Sequence, residues 1–279
     1  MLTEGQSSRI ESAELRAAAL QALAVIDPDA KVAAVQSLSA AFAATGALDP
    51  TAALEPTQPL PGRPARPVLV HPARVPRRSP NTVQGRAALL HALAHIEFNA
   101  INLALDAIWR FPGLPAAFYS DWLKVAREEA LHFSLLVEHL HRLGAAYGDF
   151  EAHDGLWTMA QKTAADPLAR MALVPRLLEA RGLDASPPIR AKLAAAGDAR
   201  AVEILDVIMR DEVGHVEIGN RWYRYLCVQQ GREPVATFWA LLEQYGTPAP
   251  KGPFNLDARR AAGFTAAELD ALELNAQTG

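Results

Sequence analysis

Two short segments of this sequence carry the same pattern of potentially reactive side chains. One reads Arg127-Glu128-Glu129-Ala130-Leu131-His132 and the other Arg210-Asp211-Glu212-Val213-Gly214-His215. In each, a glutamate precedes a histidine by three residues, which places both side chains on one face of a helix. A carboxylate and an imidazole side by side suit a divalent transition metal. The bare Glu-x-x-His pattern is weak: with 17 Glu and 8 His in 279 residues, about half a match arises by chance. A third copy, Glu138-x-x-His141, illustrates this. Glu138 follows Glu129 by nine residues, about half a turn round a helix. It is expected at a solvated helix end, with His141 near the last carbonyls.

Spacing separates the other two copies from chance. Glu97 precedes Glu129 by 32 residues, and Glu179 precedes Glu212 by 33. Glu129 to Glu212 is 83 residues, as is His132 to His215, and Glu97 to Glu179 is 82. The unit "Glu, about 32 residues, Glu-x-x-His" therefore occurs twice, as a duplicated helical hairpin would. Glu97 is the only formal charge between Arg86 and Asp106. A lone ionised carboxylate on so apolar a helix costs several kcal/mol unless it is paired or bound to a metal. An arginine from another helix is the alternative partner. Glu179 could instead pair at the surface with Arg176 or Arg181. Together, Glu97, Glu129, Glu179 and Glu212 with His132 and His215 form the ligand set described for ferritin-like di-iron and di-manganese bundles. Four carboxylates would neutralise two divalent cations. The two acids that precede the ligand glutamates are candidates to orient the histidines across the bundle, Asp211 for His132 and Glu128 for His215. The other reading places them as surface residues.

These side chains need long helices to position them. Helices are expected over roughly 83–111, 115–143, 166–182 and 198–230, with a short one near 156–162. Two amphipathic helices are expected within 11–45, separated by Asp27-Pro28-Asp29, and one or two in the tail, near 234–245 and 265–274. Pro187-Pro188 is expected to break the chain, with a short helix before Gly197. Pro175, one turn before Glu179, should kink its helix or free a carbonyl. His91 and His95 point away from Glu97 and read as core residues. Nine prolines between Pro50 and Pro80 forbid helix and favour an extended strap. From Thr57 to Ile96 there is no acid but there are six arginines, including Arg63, Arg74 and Arg86. Pairing with acidic helix ends is the plainer reading of that run, and a phosphate-binding arm the sharper one. Strand signals are nearly absent. The architecture expected is all-α: a ferritin-like four-helix bundle over 82–232, an N-terminal helical segment over 1–48, a strap over 49–81 and a helical tail over 233–279.

Composition narrows the function classes. A net charge of −4 and a pI near 6.1 give no general pull toward nucleic acid or acidic membrane. One cysteine, Cys227, rules out a disulfide framework, a thiolate zinc site or a cysteine-held iron–sulfur cluster within one chain. No secretory signal is read at the N-terminus, and no uncharged apolar stretch reaches the ~18 residues of a membrane span. A cytoplasmic monomer or small homo-oligomer is expected.

Three segments also resemble a known family: Ala92-Leu93-Ala94-His95-Ile96-Glu97, Leu178-Glu179-Ala180-Arg181-Gly182-Leu183-Asp184, and the run from Asp211 to Tyr223. They resemble a bacterial ferritin-like family known only as a domain of unknown function, over roughly residues 60–232. The resemblance implies a four-helix fold with a dinuclear metal site at the six positions above. A more distant similarity links that family to di-iron tRNA hydroxylases. The expected function is an O2-dependent oxidase or oxygenase with two iron ions, or manganese, a small-molecule substrate and an external electron donor. Non-enzymatic iron binding and tRNA modification are the alternatives.

Overall fold

Helix boundaries in the computed structural model, which describes residues 14–76 and 78–278, follow the local capping chemistry closely. Glu14 caps α1 (Leu15–Ala24), its carboxylate accepting from the N–H groups of Arg16 and Ala17. Asp27 accepts from the N–H of Ala30 and Pro28 opens α2 (Pro28–Thr45). Gly46, at φ 62°, ends it. Among its described residues, the strap that follows has only a 3₁₀ turn at Pro72–Arg74 and one bridge, Leu69 to Ala152. Two long helices follow, α3 (Val83–Arg110) and α4 (Ala116–Arg142). Then come α5 (Gly155–Lys162) and α6 (Pro167–Leu173), a π-helical turn (Val174–Glu179), α7 (Ala180–Ala195) and α8 (Ala199–Gln229). The tail holds α9 (Pro234–Gln244), α10 (Leu256–Ala261) and α11 (Ala266–Thr278). The described residues are all-α, as expected. The short α10 was not foreseen.

The chain divides into two compact units. One comprises residues up to Pro76 with His91–His153; the other comprises the residues to Leu90 that follow the strap, with Asp154 onward. In the first unit Leu15, Leu23, Val35 and Leu38 of α1 and α2 are buried, as are Ile101, Leu105 and Ile108 of α3 and Trp122, Phe133 and Leu136 of α4. α3 is long and apolar enough to cross a membrane, but 72% of its most apolar stretch is buried in protein. The strap is tied down through backbone bonds: Gly62 N–H to Leu23 O at 2.9 Å and Val70 N–H to Ala152 O at 2.8 Å. Lys31 is fully buried. Its ammonium donates to Leu23 O at 2.9 Å, Gly62 O at 3.0 Å and the Asn102 side-chain oxygen, so all three protons are used.

In the second unit, helices pass through residues that ordinarily end them. Pro187 and Pro188 lie inside α7, which runs on to Ala195; the expected break is absent. A proline at 187 frees the carbonyl of Leu183, and the side-chain amide of Asn255 donates to it at 3.2 Å. Arg259 anchors the same turn, bonding the Asp184 carboxylate at 2.6 Å and Ala180 O at 3.3 Å. Pro175 produces the π turn and not a simple kink. Its ring fits only because residue 219 on α8 is glycine: a Cβ there would lie 2.4 Å from the Pro175 Cβ. Arg86 meets Asp198, the cap of α8, at 3.3 Å, the helix-end pairing expected for the arginine run.

Burial and the nearby Arg63 charge lower the Lys31 pKa from 10.5 to about 7. Between pH 7 and 10.5 the unfolded chain therefore binds the extra proton, so this group adds stability as pH rises through that window. Lys31→Met strands three buried acceptors and should cost about 2–4 kcal/mol. Chemical denaturation from pH 7 to 10 should show a positive stability slope in the wild type that the variant lacks; equal slopes would contradict the burial argument.

Candidate metal centre

Glu97 leaves the middle of α3, and Glu129 and His132 leave the middle of α4. All three are buried, with His132 fully excluded from solvent. His132 Nδ1 lies 3.3 Å from Glu97 Oε2 and 3.4 Å from Glu129 Oε2. The ligand atoms of the three residues lie within 4.8 Å of one another. Two donors each about 2.1 Å from one cation, at angles of 90–109°, are about 3.0–3.4 Å apart. The observed separations match that edge length, so this buried group could hold a metal ion.

The electrostatics point the same way. Burial, and then the neighbouring Glu129 charge, hold the Glu97 carboxyl well above its ordinary pKa. Burial alone would depress His132, but hydrogen bonds to Glu129 and Glu97 and the negative charge of that pair outweigh it and push the imidazole up to about 11. Two carboxylates at such short range cannot both stay ionised without a cation beside them. Protons take that place when no metal does.

In the second unit the pose recurs on α8. His215 is fully buried and its Nδ1 faces Glu212 Oε1 at 3.5 Å, with the Glu212 side chain 13% exposed. Glu179, partly buried, closes the π turn. Its alternative partner Arg176 is engaged elsewhere: the guanidinium is buried, 2.9 Å from Glu268 and 2.7 Å from Asn220. Asp211 bonds Arg210 at 2.8 Å, and Glu128 lies 3.7 Å from Lys124 and 3.9 Å from Arg127. Both acids are half-buried, and these partners are exposed cations on their own helices. Glu138 is exposed and paired with Arg142, the solvated helix end expected of it.

His91 and His95 are core residues. His95 meets the Tyr147 hydroxyl at 2.9 Å, and His91 accepts from the N–H of Gly148 at 2.9 Å. Burial lowers both pKa values to about 4. A cavity of about 20 Å³ beside them is lined by Pro64, Pro67 and Leu69 of the strap and by Phe98, Asn99 and Tyr147. It has room for about one water-sized molecule. Sequence reasoning gave no role to Lys31 or Tyr147; no local pattern marks either, because their partners are distant in the chain.

The profile of a family described as "Protein of unknown function (DUF455)" matches residues 24–270. The chain belongs to this family. The DUF455 match takes in all six candidate ligands and extends beyond the expected 60–232, into α2 and the tail. An uncharacterized protein of Haemophilus influenzae is 58% identical over 214 residues, 74% of each chain. No solved structure matches.

A carboxyl whose folded pKa lies above its unfolded value contributes stability at acid pH that is lost as pH rises through the folded pKa. In metal-stripped protein, Glu97 should therefore lower stability as pH rises above 4.5. Glu97→Gln removes that slope. Thermal unfolding in EDTA from pH 5 to 8 should show the variant matching or exceeding the wild type at the upper end; a variant much less stable throughout would show that Glu97 serves the fold and not a ligand.

Proposed function

We propose that this protein is a ferritin-like dinuclear metal protein. In this reading Glu97, Glu129 and His132 of one unit and Glu179, Glu212 and His215 of the other hold two iron ions. The protein then acts as an O2-dependent oxidase or oxygenase on a small substrate. The observation that carries the reading is the repeated pose: twice, a fully buried histidine turns Nδ1 toward a glutamate three residues earlier. The internal duplication, with its 83-residue offset, supports treating the two sets as halves of one centre.

Four carboxylates would balance two divalent cations and make their burial tolerable. Two bound ferrous ions would supply two electrons and open coordination positions for O2. The protein's own part is to hold the ligands, exclude water and orient the imidazoles. With Nδ1 committed to the metal side, Nε2–H is left to donate to an acid, and we assign Asp211 to His132 and Glu128 to His215. The reading requires an external electron donor, and a reducing cytoplasm would keep the iron ferrous. A second reading is iron binding with ferroxidase activity alone.

Anaerobically purified protein should bind two ferrous ions per chain. Admitting O2 should then consume O2 with a break at that stoichiometry. Protein that takes up only zinc and consumes no O2 would end the proposal. Light scattering separates the two readings: a monomer or dimer suits the oxygenase, a large cage suits iron storage.

A further inference from the structure

The second unit contains a buried cation whose surroundings exceed what packing requires. Arg176 is 3% exposed and sits inside the π turn, one residue after Pro175 and three before Glu179. Three aromatic rings enclose its guanidinium: Tyr223 of α8 at 4.9 Å, Phe238 of α9 at 5.1 Å and Phe264, just before α11, at 4.7 Å. Its Nη1 donates to Asn220 Oδ1 at 2.7 Å, and its Nη2 lies 2.9 Å from Glu268 Oε1. Neither partner is free to shift. Asn220 donates onward to Ala262 O at 2.8 Å. Glu268 closes the capping box of α11, its other oxygen accepting from the Thr265 N–H at 2.7 Å.

A buried ion pair is a poor source of net stability, since apolar residues of the same volume do as well or better. What it supplies is a fixed position. Here that position belongs to a π turn, a form that recurs at functional sites and is otherwise easily lost to α-helix. Reversion to α-helical winding would shift every residue after the turn in register, beginning with Glu179.

We propose that Arg176, clamped by Asn220 and Glu268 within the aromatic box, is a positioning residue that locks the π turn so that Glu179 can reach the metal pair. The C-terminal helix α11 thereby becomes part of the centre's support. This inference rests on the dinuclear reading.

Anaerobic titration with Co(II), read by visible absorption, tests it. Wild-type protein should take up two Co(II) per chain. Arg176→Met, which fills the box without charge, should keep its helical circular dichroism. It should bind the second Co(II) at least about tenfold more weakly, with an altered spectrum. Arg176→Lys should restore part of both. Should Arg176→Met fail to fold, Glu268→Gln provides the same test, because it keeps the volume and a capping acceptor but removes the charge. Folded variants with wild-type stoichiometry, affinity and spectrum overturn the proposal and leave the dinuclear reading intact. Folded wild-type protein that takes up no Co(II) overturns both.

Discussion

Two carboxylates placed together in an apolar interior demand positive charge, and much of this chain's organisation answers to that demand. Glu97 is the single acid on the long apolar stretch of α3, and it lies with Glu129 around His132 out of reach of water. Other buried charges in the first unit meet acceptors or counter-ions that the fold supplies. Arg16 donates to the carbonyls of Asp49, Ala52 and Trp109, Lys31 to three oxygens, and Asp106 is bridged by Arg110 at 2.7 Å. The Glu97–Glu129 pair brings like charges together around His132, an arrangement that suits a cation.

The second unit answers a different problem, that of holding irregular helix. Between Pro167 and Ala195 the chain accommodates Pro175, Pro187 and Pro188 without leaving the helical path. Two of these exceptions have a compensating residue elsewhere in the unit. Gly219 leaves room for the Pro175 ring, and Asn255 satisfies a carbonyl that Pro187 frees. Arg259, itself packed on Phe254 and Phe264, holds the turn at Asp184. The tail is thus a structural complement to the helices before it, which agrees with a family match that continues to residue 270.

The two Glu-x-x-His pairings of the candidate site were legible because their relation is local. Three residues of helical spacing put Glu129 beside His132 and Glu212 beside His215, and the helix itself guarantees the pairing. The cross-helix contact of Glu97 with His132 was also within reach: α3 and α4 are joined by a short turn, and both residues lie about 15 positions from it. Arg176 entered the sequence reading only as one alternative surface partner for Glu179, because its true partners, Asn220 and Glu268, are 44 and 92 residues away.

The sequence by itself determined where helices begin, through Asp27, Asp166 and Asp198 as caps, and which side chains share a face. Those outcomes depend on bonds reaching three or four residues. Tertiary structure alone decided that α7 would pass through two prolines, that the segment before it would wind as a π turn, and that Lys31 and Arg176 would be buried against partners from distant parts of the chain. These outcomes depend on atoms brought close by packing, and a proline's cost or a charge's burial has no defined sign until the neighbour that compensates it is in place.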